Sequence, residues 1–425
     1  MGVKNSFYKE AMVEGRNPKW ESAIKRTGDI YKRDDDIRDD FERDYCRILH
    51  STGYRRLKHK TQVFFATEHD HICTRMEHVS HVMSVSHTIA KFLSLNLDLV
   101  WAIAIGHDIG HAPFGHAGEE VLKKIAKKER LPDFWHEKNS LRFLDYIELL
   151  ESPEGTMGNQ LLSYAVRDGI ICHCGEANEN EIRPREEVID LEKIKKANQV
   201  APYSWEGCVV KVADKISYLG RDIEDAEKLG VLTQEDRREL LDILKIVKGH
   251  GIVKEGWLNN TILLHKLIID LCKESSPETG IKFSNDFLNL MRDINKFNKN
   301  KIYDHPRIQN YKNYASLIIT SIFKLIAECH KGDTFLSEVG KLEDIYPLLG
   351  KTFMVWLFRY SNARKKGDLI KNFSDKIRKD KSKFHNKTIY DIGKRKDCMM
   401  AILDYISSMT DNFAIRIFGE MTSFK

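Results

Sequence analysis

Apolar residues recur at three- and four-residue steps along most of the chain, the period of an α-helix with one buried face. From Asp36 the steps are Ile37, Phe41, Tyr45, Ile48 and Leu49. Glu77 to Leu95 repeats the pattern, with Val79, Val82, Met83, Ile89, Ala90 and Leu93 as its stripe. Leu99 to Ile105 is apolar on every side. Ala102 and Ala104 favour a buried central helix there, with Asn96 or Asp98 as N-cap. Further helices are expected over Gly118 to Arg130, Lys138 to Leu150 and Leu161 to Ile171. The short β-branched and aromatic run ending at Phe64 leaves room for a small hairpin through Cys73. The charged stretch 175–200 reads as a surface excursion, and Tyr405 to Ala414 as a packed terminal helix. The expected fold is all-α, with at most a small β-hairpin near residues 62–73. Residues 1–35 form a polar arm that packs on the body or on a neighbouring subunit, 36–230 a helical core, and 231–425 a helical C-terminal region.

Composition narrows the class. The 425 residues are 42% hydrophobic, enough for a sizeable core. The 68 basic and 63 acidic residues leave a net charge of only +5, so any nucleotide or nucleic-acid binding must be local. The most basic stretch, 364–396, holds 13 Lys or Arg; it could be a solvated face, a DNA-contacting patch or part of a triphosphate pocket. Eight scattered cysteines show no disulfide framework, which suits a reducing cytoplasm. Cys172-His173-Cys174 has no second cysteine pair beside it and reads as a free-thiol helix end. No apolar leader or membrane-length apolar run is seen, so a cytoplasmic protein without membrane contact is expected.

The chemistry gathers in His107-Asp108-Ile109-Gly110-His111-Ala112-Pro113-Phe114-Gly115-His116-Ala117-Gly118-Glu119. Three histidines and two carboxylates sit where Gly and Pro interrupt regular structure at the end of an apolar element. Imidazoles beside carboxylates are a donor set for a divalent metal. Arg75 and His78 lie three apart at the start of a helix, so both can face one site. His81 and His87 share that helix. Downstream, Asp214 follows an apolar run, and a carboxylate there needs a partner or a metal. Asp214, Tyr218 and Asp222 are spaced four and four on one helix face; a salt-bridged structural helix is the competing reading. The basic run Tyr54 to Lys60 is either a solvated face or a phosphate contact. Together His78, His107, Asp108 and Asp214 form a mixed N/O set that leaves coordination positions open, as a hydrolytic site requires.

One His, a His-Asp pair 29 residues on and an Asp 106 residues beyond resembles the ordered pattern of the HD phosphohydrolase superfamily. Within it, Arg43-Asp44, Arg47 to His50, Arg55 to Leu57 and Lys60-Thr61-Gln62-Val63-Phe64 are similar to the N-terminal signature of the bacterial deoxyguanosinetriphosphate triphosphohydrolase family. Arg75 to His78, His107 to Glu119 and Asp214 to Asp222 continue the match, which spans about residues 36–230 with a weaker echo at Asp404 to Ala414. Two departures are Glu77 with Val79-Ser80-His81 around His78, and Ala112-Pro113 in place of Pro-Pro; they leave base preference more open than the chemistry.

The resemblance implies an HD-superfamily helical core with a C-terminal extension, and hydrolysis of a dNTP, dGTP among them, to deoxynucleoside and triphosphate. His78, His107, Asp108 and Asp214 would be metal ligands, for Mn2+ or Mg2+, with Zn2+, Fe2+ or Co2+ compatible. His116 would be catalytic and tuned by Glu119, with His111 and His136 approaching the phosphates. Gln62 and Asp222 would read the sugar 3′-hydroxyl, Tyr218 would exclude a 2′-hydroxyl, and Arg75 and Lys215 would hold phosphate oxygens. A homo-oligomer, tetramer or hexamer, is implied, with a nucleotide effector and single-stranded DNA as candidate partners. Two alternatives stand beside this: an HD phosphohydrolase acting on a monophosphate, a guanosine polyphosphate or a cyclic dinucleotide, and a non-catalytic nucleotide or single-strand DNA sensor.

Overall fold

The computed structural model describes residues 7–31, 35–65, 71–174, 181–245, 252–254, 257–365, 371 and 373–423. Its centre is the Leu97–Gly106 helix, where Leu99, Val100, Ala102, Ile103, Ala104 and Ile105 are all buried. A helix apolar on every face can only be stable wrapped by others. The Asp40–Leu49, Arg75–Leu93, Tyr164–Cys172 and Trp205–Lys228 helices pack against it. Its start is set by Asn96, whose side chain accepts from the Asp98 and Leu99 amides at 3.0 and 3.1 Å. Thr74 and Glu77 form a reciprocal capping box on the Arg75–Leu93 helix. That box fixes the first turn, and so the placement of Arg75 and His78.

Three local expectations are corrected. Ile37 is 98% exposed, because Asp39 caps the helix and leaves Ile37 outside it. The expected Lys138 to Leu150 helix runs His136–Arg142, widens into a π-helical turn over Phe143–Ile147 and ends. Buried Glu148 then accepts from the Gly53 amide and the Thr52 hydroxyl, both at 2.8 Å, and from Arg56. Satisfying that carboxylate takes the chain out of the helix, and Leu149–Glu151 pairs antiparallel with Met157–Asn159. A second pair joins Val253–Lys254 to Trp257–Leu258. At the expected hairpin the described residues form a single bridge, Thr61 to Thr74, and residues 66–70 lie outside them. The terminal helix is two, Arg395–Ser407 and Asp411–Thr422, because Thr410 caps a new start by accepting from the Phe413 amide.

The N-terminal arm packs on the body: Phe7 and Met12 are buried, and the Phe7 ring meets Trp205 edge-on at 4.8 Å. Of the basic stretch, residues 366–370 and 372 lie outside the described residues, as do 175–180 of the excursion. Arg364 is internal and donates to Asn386, and Lys383 pairs with Asp380 at 2.9 Å. The C-terminal region shares the interior of the core. Arg142 pairs with Asp404, the Tyr360 hydroxyl donates to the Ile147 carbonyl, and the Tyr303 hydroxyl donates to Asp222, all across residue 230. No helix of the described residues is long and apolar enough to cross a membrane.

Candidate metal and hydrolytic site

His107 follows the last turn of the central helix. Its Nδ1–H donates to the Ala104 carbonyl at 2.6 Å, which fixes the tautomer and leaves the Nε2 lone pair outward. That nitrogen is fully buried and has no hydrogen-bond partner among the described residues. It lies 3.6 Å from Asp108 Oδ1 and 3.8 Å from Asp214 Oδ1. His78 Nε2 is 2.9 Å from Asp214 Oδ1 and 3.7 Å from Asp108 Oδ2. Four side chains from three helices thus converge: His78 in the first turn of one, His107 and Asp108 just past the end of another, and Asp214 within the Trp205–Lys228 helix.

Electrostatics sharpen this. Burial lowers the His107 pKa to about 4, so the ring is neutral near pH 7, the state a metal ligand needs. Burial favours a protonated Asp108, but His111, Arg75 and His107 outweigh it and hold the carboxyl well below its usual range. Burial likewise opposes ionisation of Asp214, and the His78 hydrogen bond and charge overcome it. A buried carboxylate, Asp108, and a half-buried one, Asp214, facing an orphaned imidazole nitrogen are costly alone. The donor set fits a divalent cation.

Beside it lies a second group. Glu119 accepts from His136 Nδ1 at 3.0 Å and from the His136 amide at 3.2 Å, while His116 Nδ1 is 3.6 Å away. The tighter partner of Glu119 is therefore His136. Burial disfavours charge on His136, yet Glu137 and Glu119 outweigh it and raise its pKa to about 10. The His111 ring lies 3.9 Å from that of His136, and burial and Arg75 push its pKa well down. A neutral imidazole thus faces a cationic one. His116 sits at the rim, its side chain 67% exposed.

The loop carrying these groups is held by close packing. The Gly110 amide donates to Ser140 Oγ at 2.9 Å, and Asn139 donates to the Gly110 carbonyl at 2.6 Å. Phe114 and Gly115 are both left-handed, at φ +68° and +56°, which turns the chain sharply into the Gly115–Lys128 helix.

Among the expected substrate contacts, Asp222 is buried and accepts from the Tyr303 hydroxyl at 2.6 Å; burial raises its pKa to about 6. Tyr218 is half-buried one turn earlier, and Lys215 is buried beside Asp214. Gln62 is half-buried, with Oε1 lacking a partner among the described residues. Arg75 is buried. Its Nη1 donates to Asp108 at 3.0 Å, and its Nη2 to the carbonyls of Thr61 and Gln62 at 3.3 and 3.2 Å.

Sequence reasoning missed His173. Its Nδ1–H donates to the Ile170 carbonyl at 2.6 Å, and its ring stands 5.0 Å from His107 and 5.7 Å from His136. The flanking cysteines drew attention instead, although burial raises the pKa of both thiols and leaves them poor metal donors. Buried Glu137 was also missed; it stands next to His136 in the chain. His81 and His87 lie apart, against Arg221 and Trp101.

The HD domain family model matches residues 75–219. The chain is 37% identical over 290 residues to a deoxyguanosinetriphosphate triphosphohydrolase-like protein of Desulfatibacillum aliphaticivorans, covering 68% of this chain and 73% of that one. It is 33% identical over 312 residues to a protein of the same description from Caldanaerobacter subterraneus subsp. tengcongensis, covering 73% and 78%. A third, from Clostridium tetani, is 33% identical over 325 residues, covering 75% and 82%. With the His78, His107-Asp108 and Asp214 set gathered inside the matched span, the chain belongs to the deoxyguanosinetriphosphate triphosphohydrolase-like family and is a metal-dependent HD phosphohydrolase.

Proposed function

We propose that the chain is a dNTP triphosphohydrolase, with dGTP the first substrate to test, releasing deoxynucleoside and inorganic triphosphate. The observation that carries the reading is the convergence of His78, His107, Asp108 and Asp214 beside a separate group of three imidazoles and Glu119. His78, His107, Asp108 and Asp214 would hold a divalent cation (Mn2+ or Mg2+, with Zn2+, Fe2+ or Co2+ compatible), which would supply Lewis acidity toward the phosphates. His136, cationic through Glu119 and Glu137, offers positive charge to the phosphates, and Lys215 and neutral His111 approach them with it. His116 handles the proton at the scissile bond, steadied by Glu119. Arg75, committed to Asp108 and the Thr61 and Gln62 carbonyls, braces the ligand set. Gln62 and Asp222 read the 3′-hydroxyl. Tyr218 closes the wall where a 2′-hydroxyl would clash and lack a partner. This reading carries with it a cytoplasmic homo-oligomer, tetramer or hexamer, and leaves a nucleotide effector and single-stranded DNA as partners to test.

Incubation with each dNTP and rNTP plus Mn2+ or Mg2+, followed by product analysis, tests the proposal. Intact triphosphate from dNTPs and not rNTPs is expected. Stepwise orthophosphate release, or turnover only of monophosphates, polyphosphates or cyclic dinucleotides, overturns it. His116→Ala is expected to keep its metal and to lose turnover by about 100-fold or more. Undiminished turnover in that variant removes His116 from its role.

A further inference from the structure

Asp411 is the first residue of the Asp411–Thr422 helix, nearly 200 residues beyond Asp214, and its side chain is buried. Its Oδ1 accepts from the Phe114 amide at 2.7 Å. Its Oδ2 accepts from the Thr61 amide at 2.9 Å and from the Thr61 hydroxyl. Burial raises the Asp411 pKa, against the hydrogen bonds from Thr61 and Phe114 and the Lys60 charge, and those hydrogen bonds are strongest to the carboxylate form.

The two segments gripped lie against each other, a Cβ on Gly115 standing 3.3 Å from the Thr61 and Gln62 carbonyl oxygens, and each carries an expected site residue. Phe114, buried and held at φ +68°, lies two residues before His116. Thr61 precedes Gln62, and the carbonyls of both accept from Arg75, whose other Nη donates to Asp108. Between the sugar-reading segment and the cation ligands there is thus a continuous path, Asp411 to Thr61 to Arg75 to Asp108. From the same carboxylate a second path runs through Phe114 to His116. Lys60 strengthens the junction by donating to the carbonyls of His111 and Ser407.

We propose that Asp411 is a positioning residue for hydrolysis: one carboxylate from the C-terminal region sets the separation between the Gln62 segment and the His116 helix. This rests on the dNTP reading above for its kinetic consequences. A positioning error of about an ångström is enough to slow a reaction about 100-fold.

Asp411→Asn tests it sharply. The amide keeps an acceptor for Phe114 but turns a donor toward the Thr61 amide. Thr61→Val removes only the hydroxyl, and Thr61→Ser restores it. Each is assayed well below its melting temperature for dGTP turnover, Mn2+ content and amide exchange in residues 60–64 and 114–117. Asp411→Asn is expected to hold as much Mn2+ as the native protein, to turn over about 10- to 100-fold more slowly with a raised KM, and to exchange faster in both segments. Thr61→Val falls in the same direction by a smaller factor, and Thr61→Ser stays near native.

A folded Asp411→Asn protein with kcat and KM within about twofold of native overturns the proposal. If Asp411→Asn does not fold, the Thr61 pair decides: equal kinetics in the Val and Ser variants overturns it. If the native protein hydrolyses no dNTP, the functional reading fails by itself. The clamp is then judged by exchange alone, and unchanged exchange in both segments of Thr61→Val overturns it.

Discussion

Asp222, which the proposed function sets against the sugar, is a buried carboxylate whose charge costs stability. In the unfolded chain its carboxyl ionises near the ordinary 3.8; in the folded protein burial raises that to about 6. Below about pH 4 both states hold the proton and burial of the group carries no charge penalty. Between about 4 and 6 the unfolded chain sheds its proton while the folded one keeps it, so stability falls as pH rises. Above 6 the full penalty persists. Asp222→Asn removes the charge and keeps an acceptor for the Tyr303 hydroxyl. It is expected to melt at the native temperature near pH 4 and above it near pH 7, with the gap opening between. Melts across that range check this, and a gap independent of pH defeats the assignment. Substrate affinity is expected to fall in the same variant, because a carboxylate accepts a sugar hydroxyl more strongly than an amide does.

At the scale of elements, the site depends on how closely the His107–Phe114 loop lies against the His136–Arg142 helix. A Cβ on Gly110 would stand 2.0 Å from the Ser140 amide nitrogen and 2.6 Å from the His136 carbonyl oxygen. These are backbone atoms of a helix whose own position sets His136, so they cannot give way without moving the site. Gly110→Ala is expected to destabilise the fold by about 3 kcal/mol or more and to lower Mn2+ binding with it. Urea unfolding and metal titration check this; a variant of native stability would mean the loop has room. The other boundaries follow similar logic. Buried Glu148 ends one helix by accepting from Thr52 and Gly53, and Thr410 divides another.

At the scale of the whole molecule, the C-terminal region is part of the same interior as the metal site. Asp404 is fully buried and accepts from Arg142 at 2.8 Å and from the Tyr390 hydroxyl at 2.6 Å. Arg142 is on the helix that begins with His136, so this pair ties the histidine cluster to the Arg395–Ser407 helix. Asp404→Ala leaves a largely buried guanidinium and a buried hydroxyl without their acceptor. A loss of about 3 kcal/mol in unfolding free energy is expected. A change below about 0.5 kcal/mol, the size of an ordinary surface substitution, would show the tie to be incidental.

The amino-acid sequence by itself determined the helical class, the central Leu97–Gly106 element and the residues that could bind a cation. Those features are local: a 3.6-residue period, an apolar run, caps at Thr74 and Asn96, and a burst of imidazoles and carboxylates where glycine and proline break the run. Tertiary structure decided what depends on distance across the chain. It put His173 beside His107, gave Glu119 to His136, drew Arg75 inward onto Asp108, and set Tyr303 on Asp222. It also left Ile37 in solvent, because the helix starts three residues later. A side chain's partners, and the burial that shifts its proton affinity, come from other segments, 17 residues away for Glu119, 33 for Arg75 and 81 for Asp222; no local period or spacing encodes them.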